Sequence, residues 1–214
     1  MSSRIFRSFF FANALRWWLA AGTVFLHPAG AVADSVTEWN ETALACTLTA
    51  KQPSYVAART MAMVHVAMFD ALNSIEHGYT PYVVEVSSSA GASGEAASVA
   101  AAHAVLLKIF PEQSAVLDAA YTASLARIPD GNLKVAGIAI GEKAATQIIS
   151  LRAADGADLP NHYRPITAPG VYVVTTLPVG ANWGHVKPWI MERGSQFRPV
   201  PPPPVDQPGV GPGL

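Results

Sequence analysis

The sequence predicts an all-α protein: a partial bundle of about five helices followed by an irregular C-terminal third. Three observations carry that expectation. Apolar residues recur at helical spacing over five separate segments. Alanine, the strongest helix former, is abundant throughout those segments. Glycine and proline crowd into the last third, where periodicity is lost.

The first helix is expected over residues 35–50, capped by Asp34 or Ser35. Val36, Trp39, Ala43 and Cys46 mark its inner face. The second runs over 53–76, with Pro53 suited to its first turn. Met61, His65, Met68 and Leu72 fall near one line of that helix, and Arg59, Asp70, Asn73 and His77 near the other side. This pattern suggests a central helix with a polar stripe facing another element or solvent.

A loop is expected from Gly78 to Gly94, extended at Tyr79-Thr80-Pro81-Tyr82 because the residue before proline avoids the α region. Its small, polar part from Ser87 to Gly94 reads as mobile. The third helix, 95–110, carries Val99, His103, Leu106, Leu107 and Phe110 as its stripe, and Pro111 ends it. The fourth, 112–127, turns Val116, Leu117, Ala120 and Leu125 inward. Pro129-Asp130-Gly131 is a turn.

The fifth helix, 133–154, has Gly137, Gly141 and Ala145 on one line, the signature of a close crossing of two backbones. Gly156 suits the left-handed position beyond its end. Farther on, 171–176 has the makings of a short strand, and Trp183, Trp189 and Phe197 are expected to anchor the irregular segment on the bundle.

The 214 residues divide into three stretches by composition. Residues 1–33 read as a signal peptide. Arg4, Arg7 and Arg16 supply positive charge before an apolar run from Trp17 to Leu26, and Ala31-Val32-Ala33 is a small-x-small cleavage site. Cleavage after Ala33 would leave an exported, periplasmic or secreted protein. An uncleaved membrane anchor is the rival reading, but Arg16 splits a stretch that would need about 20 apolar residues to span. Residues 34–198 form the helical domain, and 199–214 a Pro/Gly-rich tail expected to be disordered.

Several function classes are excluded or unsupported. A net charge of −1 gives no basic surface for nucleic acid. There is no H-E-x-x-H, C-x-x-C, P-loop or G-x-G-x-x-G before a helix, and no pair of the six histidines has zinc-ligand spacing on a helix. Gly91-Ala92-Ser93-Gly94 lacks the second glycine of a nucleophile elbow. His65 and His103 sit on apolar stripes, where a hydrogen-bonded core histidine is the ordinary outcome. Arg59 and Asp70 are expected in structural pairs, although an enzyme using His65 and Asp70 is a competing reading. Glu142 and Lys143 read as solvated. Cys46, the single cysteine, reads as a small buried side chain, with an intermolecular bridge or reactive thiol as the alternative.

The stretch Ala58-Arg59-Thr60-Met61 through His65 to Phe69-Asp70-Ala71-Leu72-Asn73 resembles the early helix of bacterial vanadium-dependent haloperoxidase-like proteins, of the phosphatidic-acid-phosphatase type 2 superfamily. Tyr79 to Tyr82, the helix ending Phe110-Pro111, Leu151-Arg152-Ala153-Ala154-Asp155-Gly156, residues 163–170 and Ser195-Gln196-Phe197-Arg198-Pro199 continue the likeness in order. It spans roughly residues 35–204.

The resemblance implies peroxide-dependent halide oxidation with vanadate, or phosphate-ester hydrolysis in the related phosphatases. It also implies a Lys followed seven residues later by Arg-Pro, a Pro-Ser-Gly-His segment, and a later histidine on the metal or the phosphorus. None of these is found. Arg164-Pro165 and Arg198-Pro199 are the only Arg-Pro pairs, Ala157 and Met191 stand seven residues before them, and no Ser-Gly-His occurs.

No catalytic, cofactor-binding or metal-ligating residue is therefore assigned, and vanadate is expected only in complete relatives. The expectation is a truncated, catalytically incomplete form of such a protein. Its partner would be the missing C-terminal half, or a second copy through an exposed apolar face. The alternative is an exported helical binding or scaffold module that docks on a separate catalytic chain.

Overall fold

The computed structural model describes residues 34–83, 91–168 and 171–201. The expected signal peptide, most of the loop from 84 to 90 and the tail from 202 onward lie outside the described residues. Among the described residues five α-helices form the bundle: α1 Ser35–Thr49, α2 Ser54–Glu76, α3 Gly94–Ile109, α4 Ser114–Ala126 and α5 Asn132–Arg152. Short 3-10 turns at Pro111–Gln113 and Ala181–His185 complete the regular structure, and the described residues contain no strand. The short strand expected at 171–176 is not formed. Those residues are bends and open chain, with no second segment paired to them.

The hub of the bundle is α3 rather than α2, because it packs against all four other helices. Its sequence explains this. From Ala96 to Ala102 every side chain is small and every one is buried, as are Val105 and Leu106. Small side chains on all sides let neighbours approach from all sides. Ser93 caps the helix by accepting the Ala96 amide at 3.2 Å, and its own amide donates to the Leu133 carbonyl at 2.9 Å. Ala92 beside it is buried. The end of the loop expected to be mobile is thus a fixed helix start.

The closest packing is between α3 and α5. A Cβ added to Gly141 would lie 2.2 Å from the Ala97 carbonyl oxygen, and one on Gly137 would lie 2.3 Å from that of Ser93. Both obstacles are backbone, so these two positions must be glycine for the helices to lie at this separation. Ala145, next on the line, is fully buried.

On α1, Trp39, Ala43 and Cys46 are buried as the spacing predicts. On α2 the buried line runs through Thr60, Val64, Ala67, Ala71 and Ser74, while Met61, His65 and Leu72 are only half-buried. The polar Asp70 and Asn73 are buried too. On α4, Leu117 is buried but Val116 is 67 % exposed, because this helix lies at the edge and covers the core with a narrow face. The core closes around Trp39, Met68, Leu106, Phe110, Leu117 and Ile148.

Among the described residues no helix is long and apolar enough to cross a membrane.

Candidate functional site

The polar side chains of α2 and the end of α5 build one connected cluster. Arg59 lies in the second turn of α2. Its Nε donates to Asp155 Oδ2 at 2.7 Å, and its Nη2 donates to the Arg152 carbonyl at 2.9 Å. That carbonyl belongs to the last residue of α5, where helix carbonyls lack partners and attract cations.

Arg152 is itself buried, with its Nη2 2.6 Å from the same Asp155 oxygen. It also donates to the Lys187 carbonyl at 2.7 Å, and its guanidinium lies 4.3 Å over the Trp189 ring. The Arg152 Nε is buried with no hydrogen-bond partner. Burial works to raise the Asp155 carboxyl. The Arg59 hydrogen bond, the Ala157 amide and the charges of Arg59 and Arg152 outweigh it and hold the group below the ordinary carboxylate value.

The backbone of the irregular segment is fixed to this cluster. Lys187 donates its amide to the Asp155 carbonyl at 2.7 Å while its own carbonyl serves Arg152. Gly156, at φ +90°, makes the turn that allows this return, in the left-handed region anticipated for it. The helix ends two residues sooner than the spacing suggested, at Arg152, where the Ala153 amide turns to the Ser150 carbonyl and Arg59 takes the Arg152 carbonyl.

A second lock holds the chain after α2. Asp70 accepts the Tyr82 amide on Oδ1 at 2.7 Å and the Val83 amide on Oδ2 at 3.0 Å. Asn73 exchanges two hydrogen bonds with the backbone of Tyr79, at 2.7 and 2.8 Å. Tyr82 then donates its hydroxyl to the Trp189 carbonyl and joins the two locks. Burial, opposed by Arg152 and aided by Asp70, pushes that hydroxyl above its usual value.

The histidines are engaged separately. His65 Nε2 is 2.9 Å from Asn40 Oδ1. His103 Nε2 is 2.8 Å from Asp118 Oδ1, and its ring stacks on Tyr121 at 4.2 Å and meets Trp39 edge-on. His65 and Asp70 share no partner. They stand five residues apart on α2, which turns them to different faces. Glu142 and Lys143 are exposed, and Cys46 is buried and free.

Two of the three expected aromatic anchors pack. Trp183 meets the Tyr55 ring edge-on at 4.7 Å, and Trp189 covers Arg152 and Tyr82. Phe197 does not, being 77 % exposed.

Between Tyr55, Ala58 and Ala62 of α2 and the strap from Trp183 to Met191 lies a cavity of about 420 Å³, with Arg59, Arg152 and Lys187 on its wall. Sequence reasoning missed it. Its one legible signal was the pair of alanines a turn apart on α2, which leave room there.

Among the described residues the two Arg-Pro arginines do not build a vanadate or phosphate clamp. Arg164 is exposed and its Nη1 serves its own loop, on the carbonyls of Asn161 and Tyr163. Arg198 is exposed as well. Arg152 gives its two terminal nitrogens to Asp155 and two carbonyls and its face to an indole, with only the buried Nε left over. Among the described residues no three His, Cys, Asp or Glu side chains gather to hold a metal ion.

Comparison of the chain with protein-family models, with curated proteins and with solved structures finds no match in any of the three.

Proposed function

We propose that this chain is the helical, non-catalytic portion of an exported enzyme of the haloperoxidase or acid-phosphatase type, inactive by itself. In such an enzyme, vanadate with peroxide would oxidise halides, or phosphate esters would be hydrolysed. The residues that grip the anion would come from polypeptide other than these 214 residues.

The observation that carries this reading is the surface of the irregular segment. Between residues 159 and 200, Leu177, Ile190, Phe197 and Val200 stand 77–91 % exposed, on a segment that Arg152 and Asp155 tie to the bundle at Lys187. Large apolar side chains exposed along a segment tied to the bundle support a surface that another polypeptide covers. The rival enzyme pair of the family-like stretch supports it too, because Asp70 accepts two backbone amides while His65 meets Asn40, and the two share no site.

Reading the nucleotide sequence downstream in all three frames, and coexpressing the chain with any polypeptide that carries Pro-Ser-Gly-His, tests the reading. A coding segment for that motif, whose product binds this chain and brominates a dye with added vanadate, supports it. If the motif is encoded elsewhere and its product copurifies, the module reading takes over. Absence of both rejects the enzyme connection.

A further inference from the structure

The cavity beside Arg59 is lined mostly by carbon. Tyr55, Trp183 and Trp189 give it aromatic walls, Ala58 and Ala62 give it a floor, and Met191 adds a polarisable edge. Its volume, about 420 Å³, lies in the range of small-molecule sites. The ionic groups around it do not balance. Arg59, Arg152 and Lys187 bring three positive charges, and Asp155 brings one negative charge that both arginines share.

The surplus is accessible. Arg59 uses Nε and Nη2 on Asp155 and the α5 terminus, which leaves Nη1 with no partner among the described residues on a side chain 19 % exposed. Lys187 is exposed and forms no ion pair among the described residues. Its backbone is tied on both sides, by its amide to Asp155 and its carbonyl to Arg152, so the base of its side chain is fixed at the rim.

We propose that this cavity is a binding site for a small aromatic carboxylate. The ring lies among Tyr55, Trp183 and Trp189, and the carboxylate is received by Arg59 Nη1 and the Lys187 ammonium. Two free donors on otherwise apolar walls suit a singly charged group with an apolar body. They do not suit a dense, multiply charged tetrahedral ion, which takes several converging cations.

Calorimetric titration of the full chain with phenylacetate, with benzyl alcohol and inorganic phosphate run in parallel, tests the site. Phenylacetate is expected to bind one-to-one with a Kd of about 1 mM or tighter, and to perturb tryptophan fluorescence. Benzyl alcohol and phosphate are expected to bind at least tenfold more weakly. Lys187→Gln and Trp183→Ala alter the strap rather than the bundle core, and each is expected to weaken phenylacetate about tenfold with the thermal transition retained. Absence of saturable binding, equal binding by benzyl alcohol or phosphate, or affinity unchanged in both variants would overturn the proposal.

Discussion

Arg59 and Asp155 stand 96 residues apart in the chain and meet through a 2.7 Å hydrogen bond, with the Asp155 side chain 2 % exposed. They belong to two of the stretches, 58–73 and 151–156, that carry the proposed family resemblance. The contact between them is one ion cluster that ends α5, turns the chain at Gly156 and fastens Lys187. A buried carboxylate between two guanidiniums leaves severe debts when one partner is removed.

Asp155→Ala would leave Arg152 buried beside Arg59 without a counter-ion, at an expected cost of about 3–5 kcal/mol. Arg59→Ala leaves Asp155 its Arg152 partner, and roughly 1.5–3 kcal/mol is expected for the lost charged hydrogen bonds. The Asp155 carboxyl is held below its ordinary value in the folded state, so its contribution is fully present above about pH 4–5 and is lost as pH falls through the lower folded value. Urea melts from pH 7 to pH 3 should show the gap between wild type and Asp155→Ala narrowing on acidification. A gap independent of pH contradicts the assignment.

Gly141→Ala improves helix propensity by about 1 kcal/mol, yet it sets a methyl 2.2 Å from the Ala97 carbonyl and 2.8 Å from the Ala101 amide. Backbone cannot step aside cheaply, so a net loss of about 1–3 kcal/mol is expected. Gly78→Ala, where a methyl meets nothing within 4 Å, is the control and should be near neutral. Thermal melts of the two variants decide it.

Asp70→Ala removes the acceptor for two amides, and the lost bonds are expected to cost about 2–3 kcal/mol. Hydrogen exchange should report it locally, with protection lost first at Tyr82 and Val83. If those amides stay as protected as in the wild type, Asp70 is not what holds the segment.

Cys46 is buried, and burial, with a smaller effect of Glu112, pushes its thiol up. The native protein should therefore react with a disulfide reagent far more slowly than the unfolded chain, at a rate that follows unfolding as urea is added. Rapid stoichiometric labelling in buffer would contradict this.

The helices were legible because α1 to α5 each carry an apolar spacing and a start or stop residue. Boundaries moved by one or two positions where a tertiary bond intervened, as at Arg152. The Gly137, Gly141 and Ala145 line gave a close crossing of α5, but not that its partner is α3. What spacing did not give was rank. The alanines of α3 carry little amphipathic contrast, so their all-round burial was invisible until the other helices were placed around them.

The cluster was half legible. Arg59 and Asp70 stood out as charges on an apolar helix, but their partners lie 96 residues away in one case and on backbone amides in the other, and neither relation has a local signature. The strand expected at 171–176 rested on a run of β-branched residues and Tyr172, and β propensity without a partner strand forms no ladder.

Vanadium-51 resonance of the purified chain titrated with vanadate, followed by a peroxide-dependent bromination assay on the same sample, bears most directly on the claim that these residues form a non-catalytic portion. The expected result is a free-vanadate signal, unbroadened by the protein, and no dye bromination above the buffer rate. Tight stoichiometric uptake of vanadate, with bromination that depends on it, would contradict that claim.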